Sequence, residues 1–256
     1  MNRGFTLVEL ITVMMVLGIL SVGTVRFISD SSGGFATTVT RAELAGDARF
    51  AVERLAREIR DALPNSVRVT GGCLEYVPVL GASRYVTLPL TSAATSFRAH
   101  PIDPLPVPAG ARVAVFPDGA VYDLTAPATV SPTVTVSAPD AGNEVTVTMA
   151  SAHRFAVESP ADRFFLVDTP VSVCVDGGRL WRYANYGFNV VQPTVAGLPG
   201  SLPNRALLAQ EVVSTTPFAL NAPTLTRNAV LGIDLEFARG DDQVRIEHLV
   251  QVRNVP

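Results

Sequence analysis

The feature that most constrains this chain is an apolar run from Phe5 to Val25, in which Glu9 is the only charged residue. A helix needs about 20 predominantly apolar residues to cross a bilayer, so the run is long enough to span one. Arg3 precedes the run, and basic residues favour the cytoplasmic side of a membrane. We therefore expect a transmembrane helix over residues 5–25, with a cytoplasmic N-terminus and an exported body.

A cleaved secretory signal peptide is the alternative interpretation of this run. Such a peptide carries its charges before the apolar stretch and ends at a small-x-small cleavage site. Ser21-Val22-Gly23 matches that site only weakly, and Glu9 lies inside the stretch rather than before it. The sequence therefore favours a retained helix over ordinary secretion.

Glu9 is the most informative residue of the run. A carboxylate inside a membrane helix costs a few kcal/mol and usually has a partner. One interpretation is that Glu9 lies near the helix end and reaches the lipid headgroups. The other is that cleavage between Gly4 and Phe5 creates an α-amino group, with which Glu9 of a neighbouring subunit pairs. That pairing would set the axial register between packed helices.

A second helical pattern occupies residues 41–63. Its apolar residues recur at three- and four-residue spacing, which predicts an amphipathic helix with one buried stripe: Leu44, Ala48, Ala51, Leu55, Ile59 and Ala62. Glu53 and Arg57, like Arg54 and Glu58, are opposite charges four residues apart and are expected to pair on the solvent side. Pro64 is expected to end the helix.

From Pro64 onward the apolar period changes to two, which indicates strands. The predicted strands are Cys73–Val79, Tyr85–Leu88, Arg112–Phe116, Thr133–Ser137, Glu144–Met149, Arg163–Asp168, Val171–Asp176 and Arg179–Tyr186, followed by a terminal hairpin over residues 231–252. Three proline-rich stretches are expected to be surface loops, because proline interrupts sheet ladders: residues 98–111, 126–142 and 192–205.

These patterns predict an α+β fold, in which a long N-terminal helix packs on a mainly antiparallel β body. The predicted organisation is a leader of residues 1–4, a helix of residues 5–63 whose first part spans the membrane, and an exported β-rich domain of residues 64–256. Gly33-Gly34 is expected to break or soften the helix near the membrane surface.

Composition and motifs argue against several classes of function. All 20 basic residues are arginine, which excludes a lysine nucleophile or a phosphate-loop lysine, and the net charge of −3 gives no sign of nucleic-acid binding. His100, His153 and His248 are too far apart for a recognisable metal motif, and Asp176 and Asp241-Asp242 lack a regular calcium-ligand spacing. We expect no enzyme activity, no cofactor and no bound metal.

The two cysteines, Cys73 and Cys174, would be exported to an oxidising compartment, where an even pair usually forms a disulfide. The alternative is two buried thiols too far apart to bond. Trp181, Tyr183 and Tyr186 lie in an aromatic stretch with interspersed arginine, which makes them candidates for a subunit interface or a ligand contact. A core strand with one exposed edge is the competing interpretation of this stretch.

Residues 3–10, Arg-Gly-Phe-Thr-Leu-Val-Glu-Leu, resemble the class III signal of type IV pilins and type II secretion pseudopilins. The resemblance implies that a prepilin peptidase cleaves after Gly4 and N-methylates Phe5, and that Glu9 aids docking into a growing filament. It implies other major and minor pilins and an inner-membrane assembly platform as partners, and passage from the inner membrane into a pilus or pseudopilus. The proline that many major pilins carry early in this helix is lacking.

Residues 50–68, 73–78 and 250–256 resemble a narrower subgroup, the minor pilins of the mannose-sensitive haemagglutinin (MSHA) pilus and related minor pilins. This resemblance implies a low-abundance structural subunit that helps to initiate or cap a pilus. A J-type minor pseudopilin of type II secretion and a tip adhesin that binds a surface or a glycan remain the alternatives.

Overall fold

One long helix and a series of antiparallel strands make up the computed structural model, which describes residues 6–118, 120–125, 127–221 and 228–252. The α+β prediction is confirmed. Gly4 and Phe5, and residues 253–256 of the C-terminal resemblance, lie outside the described residues. The elements are α1 (Leu7–Arg60), β1 (Arg68–Thr70), β2 (Cys73–Tyr76), β3 (Val79–Arg84), β4 (Ala94–Ala99), β5 (Arg112–Val115), β6 (Val130–Val136), β7 (Val145–His153), β8 (Arg163–Val167), β9 (Val171–Asp176), β10 (Arg179–Tyr183), β11 (Arg205–Gln210), β12 (Phe218–Asn221), β13 (Ala229–Arg239) and β14 (Asp242–Val252).

Helix α1 has 54 residues and runs without interruption from Leu7 to Arg60, a length of about 81 Å at 1.5 Å per residue. The predicted break at Gly33-Gly34 is therefore wrong, and the alternative that these glycines soften the helix stays a prediction. Each glycine costs the helix only about 1 kcal/mol relative to alanine, and the flanking turns continue on both sides. The hydroxyls of Thr37 and Thr38 donate to the carbonyls of Gly33 and Gly34, at 3.2 and 2.9 Å.

The helix ends at Arg60, three residues before the predicted end. Asp61 caps it, and the next residues pair with the strand segment that follows β2: the Leu63 amide donates to the Val77 carbonyl at 2.8 Å, and Ala62 bridges Pro78. Sheet-like pairing therefore takes over from helical hydrogen bonding before Pro64 is reached.

The second half of α1 packs into a curved β layer. The layer consists of a five-stranded sheet, β1-β2-β9-β10-β11, and a three-stranded sheet, β12-β13-β14. They join where the chain leaves β11, because Val212 bridges Phe237 on β13. The predicted helix stripe is confirmed as part of this core, with every member at most 3% exposed: Leu44, Ala48, Ala51, Leu55, Ile59 and Ala62.

A six-stranded sheet, β3-β8-β5-β6-β7-β4, is inserted between β2 and β9 and has its own core. Its first and last strands meet through the bridge between Tyr85 and Ala99. The Val86 amide donates to the Arg98 carbonyl at 2.8 Å, and the His100 amide donates to the Arg84 carbonyl at 2.9 Å. The six strands thus close into a barrel, which we call the inserted barrel.

Most predicted strands are present, but some boundaries and assignments are wrong. Residues 85–88 form no strand, because the amides of Val86 and Thr87 both point at the Arg98 carbonyl and the chain bends there. The predicted loop 126–142 contains β6. Pro132 is tolerated inside β6 because the register shifts opposite it and the Ser131 hydroxyl accepts the Val113 amide at 3.0 Å. Strands β1, β3, β4, β11 and β12 were not predicted.

Candidate assembly site on the N-terminal helix

The start of α1 is fixed by a side-chain cap. Thr6 is the N-cap, and its hydroxyl oxygen accepts the Glu9 amide at 3.3 Å. Glu9 thereby lies in the first helical turn, where the helix dipole favours a carboxylate. Thr6 was not identified from the sequence, although the spacing Thr-x-x-Glu before an apolar run is a recognised signal for the start of a helix.

The first half of α1, residues 7–35, packs against no other described part of the chain, and we call it the bare half. Every residue from 7 to 35 is exposed, and no other described element covers this stretch. Three of its hydroxyl groups donate within the helix: Thr12 to the Val8 carbonyl at 3.0 Å, Ser21 to the Leu17 carbonyl at 2.7 Å and Thr24 to the Leu20 carbonyl at 2.8 Å. The helix is long and apolar enough to cross a membrane. Between residues 7 and 25, Glu9 is the one ionisable group, and its neighbours can be lipid or the apolar helices of other subunits.

A partly buried polar cluster ties the second half of α1 to the β layer. The Glu58 carboxylate accepts hydrogen bonds from the Tyr76 hydroxyl, from Arg182 Nε at 3.0 Å and from Arg54 Nε at 3.0 Å. Burial alone would raise the pKa of Glu58, but the Tyr76 hydrogen bond and the charge of Arg182 outweigh it, so this pKa lies below its ordinary value. The cluster fixes the direction in which the bare half leaves the body.

The predicted Arg54–Glu58 pair is present in that cluster. The predicted Glu53–Arg57 pair is wrong, since no ion pair joins these two exposed side chains in the described structure. Both would lie in solvent, where such a pair is worth only a few tenths of a kcal/mol.

A second set of ion pairs holds α1 where it enters the body. Arg239 contacts Glu43 at 2.8 Å and Glu211 at 2.7 Å, and Arg41 contacts Asp242 at 2.7 Å. These residues join the helix to the turn between β13 and β14. Each exposed pair stabilises little, but together they orient the terminal hairpin against the helix.

Cys73 and Cys174 form a disulfide in the structure. They face each other on β2 and β9 with their Cα atoms 4.2 Å apart, so the alternative of two distant thiols does not apply. The disulfide packs in a small cluster with Tyr183 and Leu198, beneath the loop between β10 and β11. The Gln192 amide donates to the Cys73 carbonyl at 3.1 Å and holds this loop down.

The aromatic stretch serves the interior more than the surface. Tyr183 is 1% exposed, so it offers no surface for an interface or a ligand, which corrects that expectation. The guanidinium of Arg205 covers Trp181 at 3.8 Å from the ring centre. The Tyr186 hydroxyl donates to Glu75 at 2.8 Å, and burial raises the pKa of Tyr186. The core-strand interpretation describes these residues better.

Glu75 is a fully buried carboxylate that the sequence analysis did not identify. Arg68 pairs with it and also donates to the carbonyls of Asn189 and Val190, both at 2.7 Å. The same guanidinium lies 3.5 Å from the ring centre of Tyr122. Glu75 and Arg68 therefore fasten the β10–β11 loop to β1 and β2.

The three histidines are separated in the structure. His153 is buried with Nε2 3.3 Å from the Ala128 carbonyl, and burial lowers the pKa of His153. His248 faces helix α1 from β14, and His100 follows β4. In the described parts of the chain, no group of three or more His, Cys, Asp or Glu side chains is arranged to hold a metal ion.

Residues 1–25 match the family model described as the prokaryotic N-terminal methylation motif. The N-terminus thus carries a type IV pilin-type signal. This motif indicates pilin-like or pseudopilin proteins, which a prepilin peptidase processes and which associate with the membrane and with other pilins. The match includes Gly4, Phe5 and Glu9, the three residues singled out in the sequence. No curated protein and no solved structure matches the chain.

Proposed function

We propose that this chain is a minor pilin-like structural subunit that helps to initiate or cap assembly of a type IV pilus. The observation that carries the proposal is the division of α1: its first half is bare and apolar, and its second half is held in the body by a buried stripe and the Glu58 cluster. A subunit of this shape can lie in a membrane first and pack its bare half among other helices afterwards.

In the proposed mechanism, the prepilin peptidase cleaves after Gly4 while the bare half of α1 spans the inner membrane and the body lies in the periplasm. Phe5 then carries the new, methylated amino group. The assembly platform brings the chain beside its neighbours, and Glu9 pairs with the amino group of an adjacent subunit. This pairing offsets the cost of placing both charges in an apolar environment. The rigid link through Glu58 transmits the helix position to the body.

The bulk of the body favours an end of the filament over its shaft. The inserted barrel adds a second hydrophobic core to the one that α1 forms with the β layer. Such a wide subunit would crowd its neighbours at every position of a helical shaft, but not at a tip. The resemblance of residues 50–68 and 73–78 to MshO, a minor pilin-like component of the MSHA system, supports the same role.

A structural role also explains the polar side chains better than catalysis does. The partly buried Glu58 and the fully buried Glu75 each accept hydrogen bonds from arginine and tyrosine partners that belong to the fold. The Ser172 hydroxyl lies 2.8 Å from the Tyr186 hydroxyl and belongs to the same hydrogen-bond network as Glu75. We therefore propose that the chain is not an enzyme.

The test is a count of sheared surface fibres from a strain that lacks this gene. We expect at least a tenfold drop, restored by the wild-type chain and by the control Asp47→Asn, which changes an exposed carboxylate of the same helix. Gly4→Val and Glu9→Gln should not restore the fibres, because they remove the cleavage site and the docking charge. Unchanged fibres with lost protein secretion would indicate the J-type pseudopilin instead. Unchanged fibres and unchanged secretion would refute both assignments.

A further inference from the structure

Strand β14 forms a long, regular sheet edge. It is the outermost strand of its sheet and pairs only with β13 among the described residues, through eleven consecutive residue pairs without a bulge. Natural proteins usually protect such edges with proline, charged side chains, bulges or short strands, because an unpaired edge recruits other chains. Residues 242–252 contain no proline and no bulge, and their charged side chains Arg245 and Glu247 pair with each other and with Asp234 on the exposed face.

The hydrogen-bonding parity identifies the groups that face outward. Gly240-Asp241 forms a two-residue turn closed by Arg239 and Asp242, and such a closing pair is hydrogen-bonded. Alternate residues of β14 therefore direct their N–H and C=O groups away from β13: Gln243, Arg245, Glu247, Leu249 and Gln251. The hydrogen bonds of β13 agree with this alternation. The amides of Asp234 and Ala238 point away from β14 and donate to the carbonyls of Pro217 and Glu211 at 2.8 and 3.0 Å.

A groove runs beside this edge, between β14 and the last turns of α1. One part has a volume of about 250 Å³ and is lined by Glu53, Arg57, Arg60 and His248. It continues past Arg60 into a part of about 270 Å³ that reaches Gln251. Arg57 and Arg60 are exposed, and no carboxylate of the described residues pairs with either. They compensate the helix dipole, but their charges remain free to meet an anionic group.

We propose that β14 is the docking edge for an extended acidic segment of another subunit in the same assembly. The segment adds as a further strand to the β12-β13-β14 sheet, and its carboxylates face Arg57 and Arg60. Main-chain hydrogen bonds to the five outward-facing residues supply affinity, and the two arginines supply selectivity for acidic strands. This inference rests on the proposed function, because that function supplies neighbouring subunits.

Symmetry argues against a second copy of this chain as the occupant. Two identical β14 edges can pair only antiparallel, about a two-fold axis perpendicular to the sheet. Helix α1 lies along the face of that sheet, so the same rotation would reverse its direction. The bare halves of two such copies could not then enter one membrane from the same side. A second β14 edge is therefore not the occupant, and the proposal commits to a segment of a different protein.

The experiment places a photo-cross-linking p-benzoylphenylalanine at Leu249, a side chain that is 72% exposed next to the edge, in the full-length chain in living cells. The cross-linked peptide is identified by mass spectrometry. We expect an acidic, strand-forming segment of another pilin-like subunit. The same probe at Thr135, on the outer face of the inserted barrel, should not capture that segment.

Backbone and charge variants then test the mode of docking. Glu247→Pro removes an N–H that points away from β13 and leaves the internal ladder intact, so we expect normal thermal stability and at least a tenfold loss of cross-link. Glu247→Ala should retain the cross-link. The double variant Arg57→Glu/Arg60→Glu should also lose it.

Three outcomes would overturn the proposal: an undiminished cross-link in Glu247→Pro, capture of a second copy or of a segment without carboxylates, or no cross-link above the Thr135 level. The outcomes for the proposed function are separate. If fibres fall in the deletion strain but no cross-link forms, the docking edge fails and the pilus role stands. If the cross-link follows the expected pattern but fibres are unchanged, the edge stands and the pilus role fails.

Discussion

Removal of the Cys73–Cys174 disulfide should destabilise the protein by an amount that the loop length sets. The two cysteines are 101 residues apart, and a loop of about 100 residues corresponds to about 4.7 kcal/mol of lost chain entropy in the unfolded state. Both side chains are buried and face each other on neighbouring strands. Cys73→Ala/Cys174→Ala therefore removes the covalent link without introducing a clash.

Because of the position of the inserted barrel, the measured loss of stability shows whether the barrel and the rest of the body unfold together. Residues 79–167 lie inside the loop that the disulfide closes. If the barrel stays folded when the rest unfolds, only about a dozen loop residues remain flexible, and the entropic contribution falls to about 3 kcal/mol. A loss near 4.7 kcal/mol would mean that both cores unfold together, whereas a loss near 3 kcal/mol would mean that the barrel unfolds separately.

The measurement is urea unfolding of the full-length chain in detergent, followed by the fluorescence of Trp181. This is the only tryptophan, and it lies on β10 beside the disulfide cluster. For a chain of this size, about 3–5 kcal/mol corresponds to a melting temperature lower by about 6–20 °C. Wild-type protein treated with a reductant should match the double variant. A loss below about 1 kcal/mol would refute the loop-entropy reasoning.

Three further predictions concern the helix and use four substitutions, one of them a control. Leu55→Ala should destabilise the protein by about 2–5 kcal/mol, because Leu55 is fully buried between α1 and the β layer, while Phe50→Ala on the exposed side should cost little in the same urea titration. Gly34→Ala should stabilise the helix by about 1 kcal/mol in thermal unfolding, because nothing lies within 4 Å of the added Cβ. The Glu58 contribution to stability should be present above pH 4.5, its ordinary pKa, and lost as the pH falls through its lowered folded pKa. Glu58→Gln should thus be less stable at pH 7 and lose less on acidification, and equal pH dependence of the two proteins would contradict this.

The predictable parts of the fold are those that local spacing specifies. The stripe from Leu44 to Ala62 repeats at helical spacing, and the terminal hairpin alternates at period two, so both could be found without a structure. Strand pairing could not be found in this way, because β2 pairs with β9 about a hundred residues later in the chain. The inserted barrel depends on a closing contact between Tyr85 and Ala99 that no periodicity reveals.

The same division holds for the candidate site. Residues 3–10 form a contiguous signal, so the sequence alone indicates Gly4, Phe5 and Glu9. The Glu58 cluster was only half predictable. Arg54 is four positions away and was expected to pair with Glu58, but Tyr76 and Arg182 come from positions 18 and 124 residues away. Glu75 looked like an ordinary strand residue, because only the folded loop shows that it is buried.

The attachment of the inserted barrel has an evolutionary consequence. The chain enters it just after Tyr76 and returns at Val171, and these two residues are direct partners on adjacent strands. A tight turn could therefore replace the whole insertion without disturbing the ladder beneath it. The β layer that packs on α1 would keep its strand pairing, and the inserted barrel could be replaced or removed. The barrel can therefore change or be lost in evolution while the N-terminal segment that carries the pilin-type signal stays unchanged.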